Sequence, residues 1–232
     1  MLTFVYLSLT LVICLSETSF AAKCSTHYDF DYLLLATQWP ESFCETQSCA
    51  DHKDVWSIHG GWPQYTNGGW PQNCCFEKEF RASQIDSIRD ELDKHWGTLK
   101  AGASDDSFWS HEWTKHGTCA KNSELLNGEL NYFNHTLQAF KALSIDKWLS
   151  DASITPSSSK MYSVTDFHAA VTKGVGAKVQ LWCLSKRHGD SPIVSQINFC
   201  LNKDTLKPFD CPNNMIDEKC GHNTLAYLPT TH

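Results

Sequence analysis

Residues 178–184 (KVQLWCL) and 192–201 (PIVSQINFCL) alternate side chains in the manner of β-strands, and cysteine and proline punctuate the tail that follows them. They come after a middle section whose apolar residues recur with helical spacing. Residues 129–149 read as helical in two pieces, and Thr165 is placed to cap a short helix running to Val171. Further upstream, Ser104 followed by Asp105 and Asp106 is a helix start, because the hydroxyl caps free amides and the carboxylates favour the positive end of the dipole. That helix carries Phe108 through His116 and stops at Gly117. Between residues 77 and 96, Phe80, Ile85, Ile88, Leu92 and Trp96 predict an amphipathic helix that Gly97 ends. Residues 28–39 read as a core strand broken by Pro40, and residues 54–59 as a second strand ending in a Gly60-Gly61-Trp62-Pro63 turn. Strands and helices in separate runs fit an α+β fold better than a βαβ parallel sheet.

With 232 residues, 41% hydrophobic and 12% aromatic, the chain holds one sizeable core and is expected to be a single domain. Neither a repeat nor a linker interrupts it. Residues 1–21 are apolar up to Leu15, with small residues at Ser19, Ala21 and Ala22, the pattern of a secretory signal peptide. The mature domain is then 22–232. No later stretch is long and apolar enough to span a bilayer. Of the eleven cysteines, Cys14 falls in the signal, and Cys24, Cys44, Cys49, Cys74, Cys75, Cys119, Cys183, Cys200, Cys211 and Cys220 remain, an even set. Spread through a secreted chain, they predict disulfides rather than a sulfur-bound metal. Asn134-His135-Thr136 is a glycosylation acceptor and predicts an exposed site at Asn134.

The formal charge is −7, and −6 once the signal, with Glu17 and no Lys or Arg, is removed. That is the wrong sign for an ordinary nucleic-acid binder. All eleven histidines lie in the mature part, however, so mild acid would turn the charge positive. An anionic partner therefore implies an acidic working range.

The densest chemistry is Phe108-Trp109-Ser110-His111-Glu112-Trp113-Thr114-Lys115-His116-Gly117-Thr118-Cys119. On a helix, His111 and Lys115 share one face and Glu112 and His116 an adjacent one. The interleaved aromatics require part of the helix to be buried, which argues against a merely solvated charged face. A His-Glu-x-x-His zinc site is excluded by spacing: five residues advance a helix by roughly 500°, leaving His116 about 140° from His111. A second cluster, Ile58-His59-Gly60-Gly61-Trp62-Pro63-Gln64-Tyr65, sets a histidine at a strand end beside glycines and an aromatic able to stack on a base.

Together the two clusters resemble the active-site segments of the T2 ribonuclease family, the acid-type secretory ribonucleases. The match runs from Phe108 to Cys119 at every fixed position and extends to Gln38-Trp39-Pro40, Cys44, Trp70-Pro71 and the late cysteines. The resemblance implies one antiparallel sheet flanked by helices and stapled by disulfides. It implies His116 as general base, His59 as general acid, His111 as a phosphate contact, and Glu112 and Lys115 as stabilisers of the phosphorane. Trp62 and Trp70 would stack on the base, with Gln64 at its edge. Gly61 stands where the family usually has Leu and Gln64 where Asp is frequent, so the base preference is expected to differ, and Gly61 would loosen His59.

The family pairing implies Cys44–Cys49, Cys183–Cys220, Cys200–Cys211, Cys119 with Cys74 or Cys75, and Cys24 with the other of those two. What is expected is an endoribonuclease on single-stranded RNA, needing no metal or cofactor, giving 2′,3′-cyclic phosphate and then 3′-phosphate ends. DNA, lacking the 2′-hydroxyl, should resist. The chain is expected to be a monomer, outside the cell or in the endolysosomal lumen, with a bell-shaped rate optimum at roughly pH 4.5 to 6.5. The rival reading is a secreted protein of the same fold that acts by binding a partner.

Overall fold

The computed structural model describes residues 24–52, 55–185, 191–212, 216–221 and 223–229. The expected signal peptide lies outside the described residues. Among the described residues, no helix is long and apolar enough to cross a membrane.

Strand β1 (Tyr32–Gln38) is buried at every position, as a strand covered on both faces must be. It pairs antiparallel with β2 (Ser57–Gln64) on one side and with β5 (Pro192–Asn202) on the other. Three further strands join β5: β4 (Gln180–Ser185), β6 (Pro208–Phe209) and β7 (Thr224–Ala226), the last of which also holds β3 (Met161–Ser163). Every pairing is antiparallel except β5 with β7, which is parallel through Ile193 and Ala226. The sheet is thus mixed at that one place rather than wholly antiparallel.

Helices α1 (Pro40–Cys44), α2 (Arg89–His95), α3 (Asp105–Lys115), α4 (Glu129–Lys141), α5 (Ile145–Asp151) and α6 (Val164–Val175) flank the sheet. The single α-helix expected over 77–96 is a 3-10 segment, Ala82–Ile88, followed by α2. Residues 77–81 are held outside it by tertiary partners: the Glu77 carbonyl accepts from the Trp113 indole at 2.7 Å, and the Arg81 N–H donates to the Glu129 carboxylate at 3.1 Å. Its apolar positions still serve the core, with Ile85, Leu92 and Trp96 at 0% exposure. Helix α6 is capped by Ser163, whose hydroxyl accepts from the Asp166 N–H, and runs past Val171 to Gly176 at φ +77°. Thr165 instead shares a hydrogen bond with the Ser163 hydroxyl. Strand β2 runs through Gly60, Gly61, Trp62 and Pro63 instead of turning there. Proline fits because β2 is an edge strand, where a missing N–H costs no ladder bond.

Five disulfides staple the domain: Cys24–Cys75, Cys44–Cys49, Cys74–Cys119, Cys183–Cys220 and Cys200–Cys211. The core is tryptophan-rich, and each buried indole N–H reaches an acceptor, as burial requires. Trp39 donates to the Leu228 carbonyl, Trp56 to the Tyr227 hydroxyl, Trp109 to the Trp96 carbonyl, and Trp96 to the His59 carbonyl. The last two bonds tie α3 to β2 through α2.

Candidate active site

Helix α3 begins as its sequence dictates, with the Ser104 hydroxyl accepting from the Ser107 N–H. Trp109 and Trp113 are wholly buried, which fixes the helix in rotation and turns Glu112 inward at 1% exposure. His111, one residue earlier, is exposed, and Lys115 is half-buried. His116 closes the helix and is 5% exposed. Residues 73–75 clamp this end: the Asn73 N–H donates to the Lys115 carbonyl, the Cys74 N–H to the Thr118 hydroxyl, and Cys74 is bonded to Cys119.

A bulge in β2 presents His59. The β1–β2 register pairs Ala36 with Gly60 and Thr37 with Ile58, leaving His59 as the extra residue. A bulge re-aims a side chain that simple alternation would send elsewhere: Ile58 lies in the core at 0% exposure, while His59 lines the cleft. Gln196 of β5 holds the imidazole, its Nε2 3.1 Å from His59 Nδ1.

Trp62 joins the two clusters. Its ring lies edge-on to His59 at 5.0 Å and stacks on His116 at 5.3 Å, 28° from parallel. Its indole N–H donates to Glu112 Oε2 at 2.9 Å. Gly60 permits this approach, because a Cβ there would stand 2.1 Å from Trp62 Nε1 and 2.2 Å from Glu112 Oε2. At Gly61 a Cβ would meet the Thr136 hydroxyl of α4 at 2.8 Å, and the Gly61 carbonyl accepts from the Tyr132 hydroxyl. Gly61 is therefore a close-packing residue anchored in a strand, not a source of looseness at His59.

These groups converge on a cleft of about 890 Å³. His59, His111, Glu112, Lys115 and His116 all line it, as do Trp62, Gln64 and Trp70. Trp70, 53% exposed, stands at the rim just past a turn in which Gly68 and Gly69 take φ +94° and +81°. Sequence reasoning did not single out Gln196, a polar residue within a buried strand, or Trp182 and Gln180 of β4, which also line the cleft.

Burial dominates the electrostatics. It pulls His59 down to about 4, with Lys115 and His111 adding to the effect. Burial likewise lowers His116 to about 3, assisted by Lys115, His111 and His59. His111 is lowered by burial and then by Lys115. Burial pushes the Glu112 carboxyl up to about 8, against the opposing Trp62 hydrogen bond and Lys115 charge. Glu112 is thus neutral through the acid range and does not help to protonate His116.

Among the described residues, the close grouping of metal-ligand types is Cys44, Cys49 and His52. Its two sulfurs are joined in a disulfide and offer no thiolate. The acceptor Asn134 is half-buried within α4 and Thr136 is fully buried, so this segment is a packed helix rather than the exposed site expected.

The fold has close counterparts among solved structures. RNase NT, solved in complex with 5′-AMP, superposes with a TM-score of 0.78 at 33% identity, over 87% of this chain and 100% of that one. Human RNase T2 superposes at 0.75 with 28% identity, over 86% and 99%. With the site geometry, these likenesses make the chain a T2-type endoribonuclease. Residues 30–211 match the family described as Ribonuclease T2 family. Intracellular ribonuclease LX of Solanum lycopersicum is 35% identical over 205 residues, covering 85% of this chain and 84% of the relative. Ribonuclease T2 of Danio rerio is 36% identical over 173 residues, 74% of this chain and 69% of the relative. The chain belongs to the ribonuclease T2 family.

Proposed function

We propose that this protein cleaves single-stranded RNA by transesterification, with His116 as general base and His59 as general acid. The observation that carries the reading is Trp62, which holds one imidazole against its edge and the other against its face, beside a lysine and a carboxyl in one cleft. His116 takes the proton of the ribose 2′-hydroxyl, and the 2′-oxygen attacks phosphorus. The bond from phosphorus to the 5′-oxygen breaks as His59 protonates that oxygen, leaving a 2′,3′-cyclic phosphate. Water then opens the ring with the two roles reversed, giving a 3′-phosphate. Lys115 and His111 face the phosphate charge, and the neutral Glu112 carboxyl donates a hydrogen bond where the phosphorane oxygens gather charge. The nucleophile belongs to the substrate, so the steps require neither a metal nor a cofactor, and DNA is inert.

Base contacts fall to Trp70, Gln64 and the part of Trp62 left open to the cleft. The complete site comes from one chain, which supports a monomer. Five disulfides support an oxidising address, outside the cell or in the endolysosomal lumen, reached through the signal peptide at 1–21. Asn134 is proposed as a glycan acceptor modified before α4 packs. His59→Phe and His116→Phe should each reduce cleavage of a ribo-oligonucleotide by at least a thousandfold, whereas His111→Phe should chiefly raise KM. Substantial turnover in either of the first two variants would overturn the assignment.

A further inference from the structure

Helix α1 and the loop after it hold a cluster that the ribonuclease chemistry does not use. The His52 imidazole, its side chain 13% exposed, has Nε2 3.1 Å from Glu41 Oε1. Its Nδ1 stands 3.1 Å from the Ala50 carbonyl and 3.9 Å from Cys44 Sγ. Cys44 is bonded to Cys49, with the two Cα atoms 5.5 Å apart. One ligand atom from each of Cys44, Cys49 and His52 lies within 4.8 Å of the other two. Neither these residues nor Glu41 line the cleft.

The arrangement is that of a metal site whose sulfurs are tied together. A metal-bound histidine turns one ring nitrogen to the ion and gives the other to a carboxylate, which fixes the ring and raises its basicity. Glu41, buried in α1, is such a carboxylate, and Nδ1 is the nitrogen left facing the sulfur. Sulfur and nitrogen ligands of one tetrahedral zinc lie about 3.5 Å apart, given metal distances of about 2.3 and 2.0 Å. Cys44 Sγ and His52 Nδ1 are close to that spacing.

This disulfide is also the most readily opened of the five. It joins residues 5 apart in sequence, against 11 to 51 for the others, and so restricts the unfolded chain least. Cys44 and Cys49 are half-buried, whereas Cys74–Cys119, Cys183–Cys220 and Cys200–Cys211 are buried. Bonds independent of the sulfurs hold the surrounding backbone. The Ser42 hydroxyl donates to the Val194 carbonyl, the Ala50 N–H to the Leu99 carbonyl at 3.0 Å, and the Ala101 N–H to the Ser48 carbonyl at 2.9 Å.

We propose that Cys44, Cys49 and His52 become a zinc site when a thiol reductant opens the Cys44–Cys49 bond, with Glu41 as the positioning residue behind His52. The S–S bond breaks as a dithiol gives it two electrons and two protons and closes to its own disulfide. Zinc then displaces the two thiol protons and any carried by Nδ1, and water takes the fourth position. The ion replaces the disulfide as the tie across this loop.

The test treats the folded protein with dithiothreitol, removes the reductant without air, and titrates with Co2+ as a spectroscopic substitute, then with zinc. Alkylation and peptide mapping should find Cys44 and Cys49 freed first, with ribonuclease activity kept. That form should bind one Co2+ per chain with a thiolate charge-transfer band that zinc abolishes, and the oxidised protein should show none. Glu41→Gln should weaken zinc binding by about ten- to a hundredfold, and His52→Ala by more, while both keep ribonuclease activity. Freed Cys44 and Cys49 that bind no metal, unchanged affinity in either variant, another disulfide opening first, or loss of the fold on opening this bond alone would overturn the inference. None of those results touches the acid–base reading of the cleft.

Discussion

The indole N–H of Trp62 donates to Oε2 of Glu112 across 2.9 Å, joining β2 to α3 over fifty residues of sequence. The same indole touches both imidazoles of the cleft, so one side chain sets the mutual position of the acid, the base and the carboxyl. Trp62→Phe keeps a ring but leaves a buried carboxyl oxygen without its donor, at a cost of about 1–3 kcal/mol. The variant should fold, by circular dichroism, and lose about ten- to a hundredfold in kcat/KM. Full activity would mean that the bond does not position the site.

Glu112 should leave a signature in stability. Burial raises its folded pKa from 4.5 to about 8, so the folded chain keeps this proton longer than the unfolded one. The resulting stability is fully present below about pH 4.5 and is lost as pH rises through about 8. Glu112→Gln can still accept from Trp62 and never ionises. Its Tm minus that of wild type should therefore grow by about 4 °C or more between pH 5 and 8.5. Glu129, raised by burial to about 7, titrates in both proteins and cancels in the difference. Parallel melting curves across that range would contradict a buried, proton-holding Glu112.

The two glycines of β2 should respond differently to a methyl group. Gly60→Ala would drive a Cβ into both Trp62 Nε1 and Glu112 Oε2 and should nearly abolish activity. Gly61→Ala meets the Thr136 hydroxyl at 2.8 Å and its methyl at 3.0 Å, but the Thr136 Cβ only at 3.5 Å. It should cost about 1–3 kcal/mol by overpacking, and Thr136→Ala should recover most of that loss. A denaturant double-mutant cycle measures the coupling. Additive losses would mean that the strand shifts to accommodate the methyl.

Acid–base chemistry with buried imidazoles predicts a particular pH profile. The base must be neutral, which His116 is above about 3, and the acid protonated, which His59 is below about 4. In the free enzyme this places the optimum of kcat/KM below pH 5, lower than reference histidines imply. A bound phosphate favours the charged imidazoles and raises both values, so kcat should peak at higher pH than kcat/KM. Coincident optima near neutrality would contradict burial as the dominant influence.

The strands at 178–184 and 192–201, the capped helix from Ser104 and the clustering of charged groups on α3 were legible because each rests on local periodicity or capping. The 3-10 start of the 77–96 segment was not, because Glu77 and Arg81 give their backbone groups to Trp113 and Glu129, partners far along the chain. Gly60 and Gly61 read as a turn because glycine has no local signature separating a bend from close approach. Only the positions of Trp62, Glu112 and Thr136 decide between the two. The resemblance left Cys119 free to choose between adjacent cysteines, and the fold selects Cys74. Gln196 and Trp182 emerged only when register set them beside His59 and at the cleft.

The most direct test of the account is product mapping on a defined ribo-oligonucleotide in EDTA, with a second copy of the oligonucleotide 2′-O-methylated at the scissile position. The account predicts undiminished cleavage in chelator, 2′,3′-cyclic phosphate ends appearing first and 3′-phosphates later, and no cut at the methylated site. Ends bearing 5′-phosphate, cleavage at the methylated position, or activity lost to EDTA and restored by zinc would contradict it.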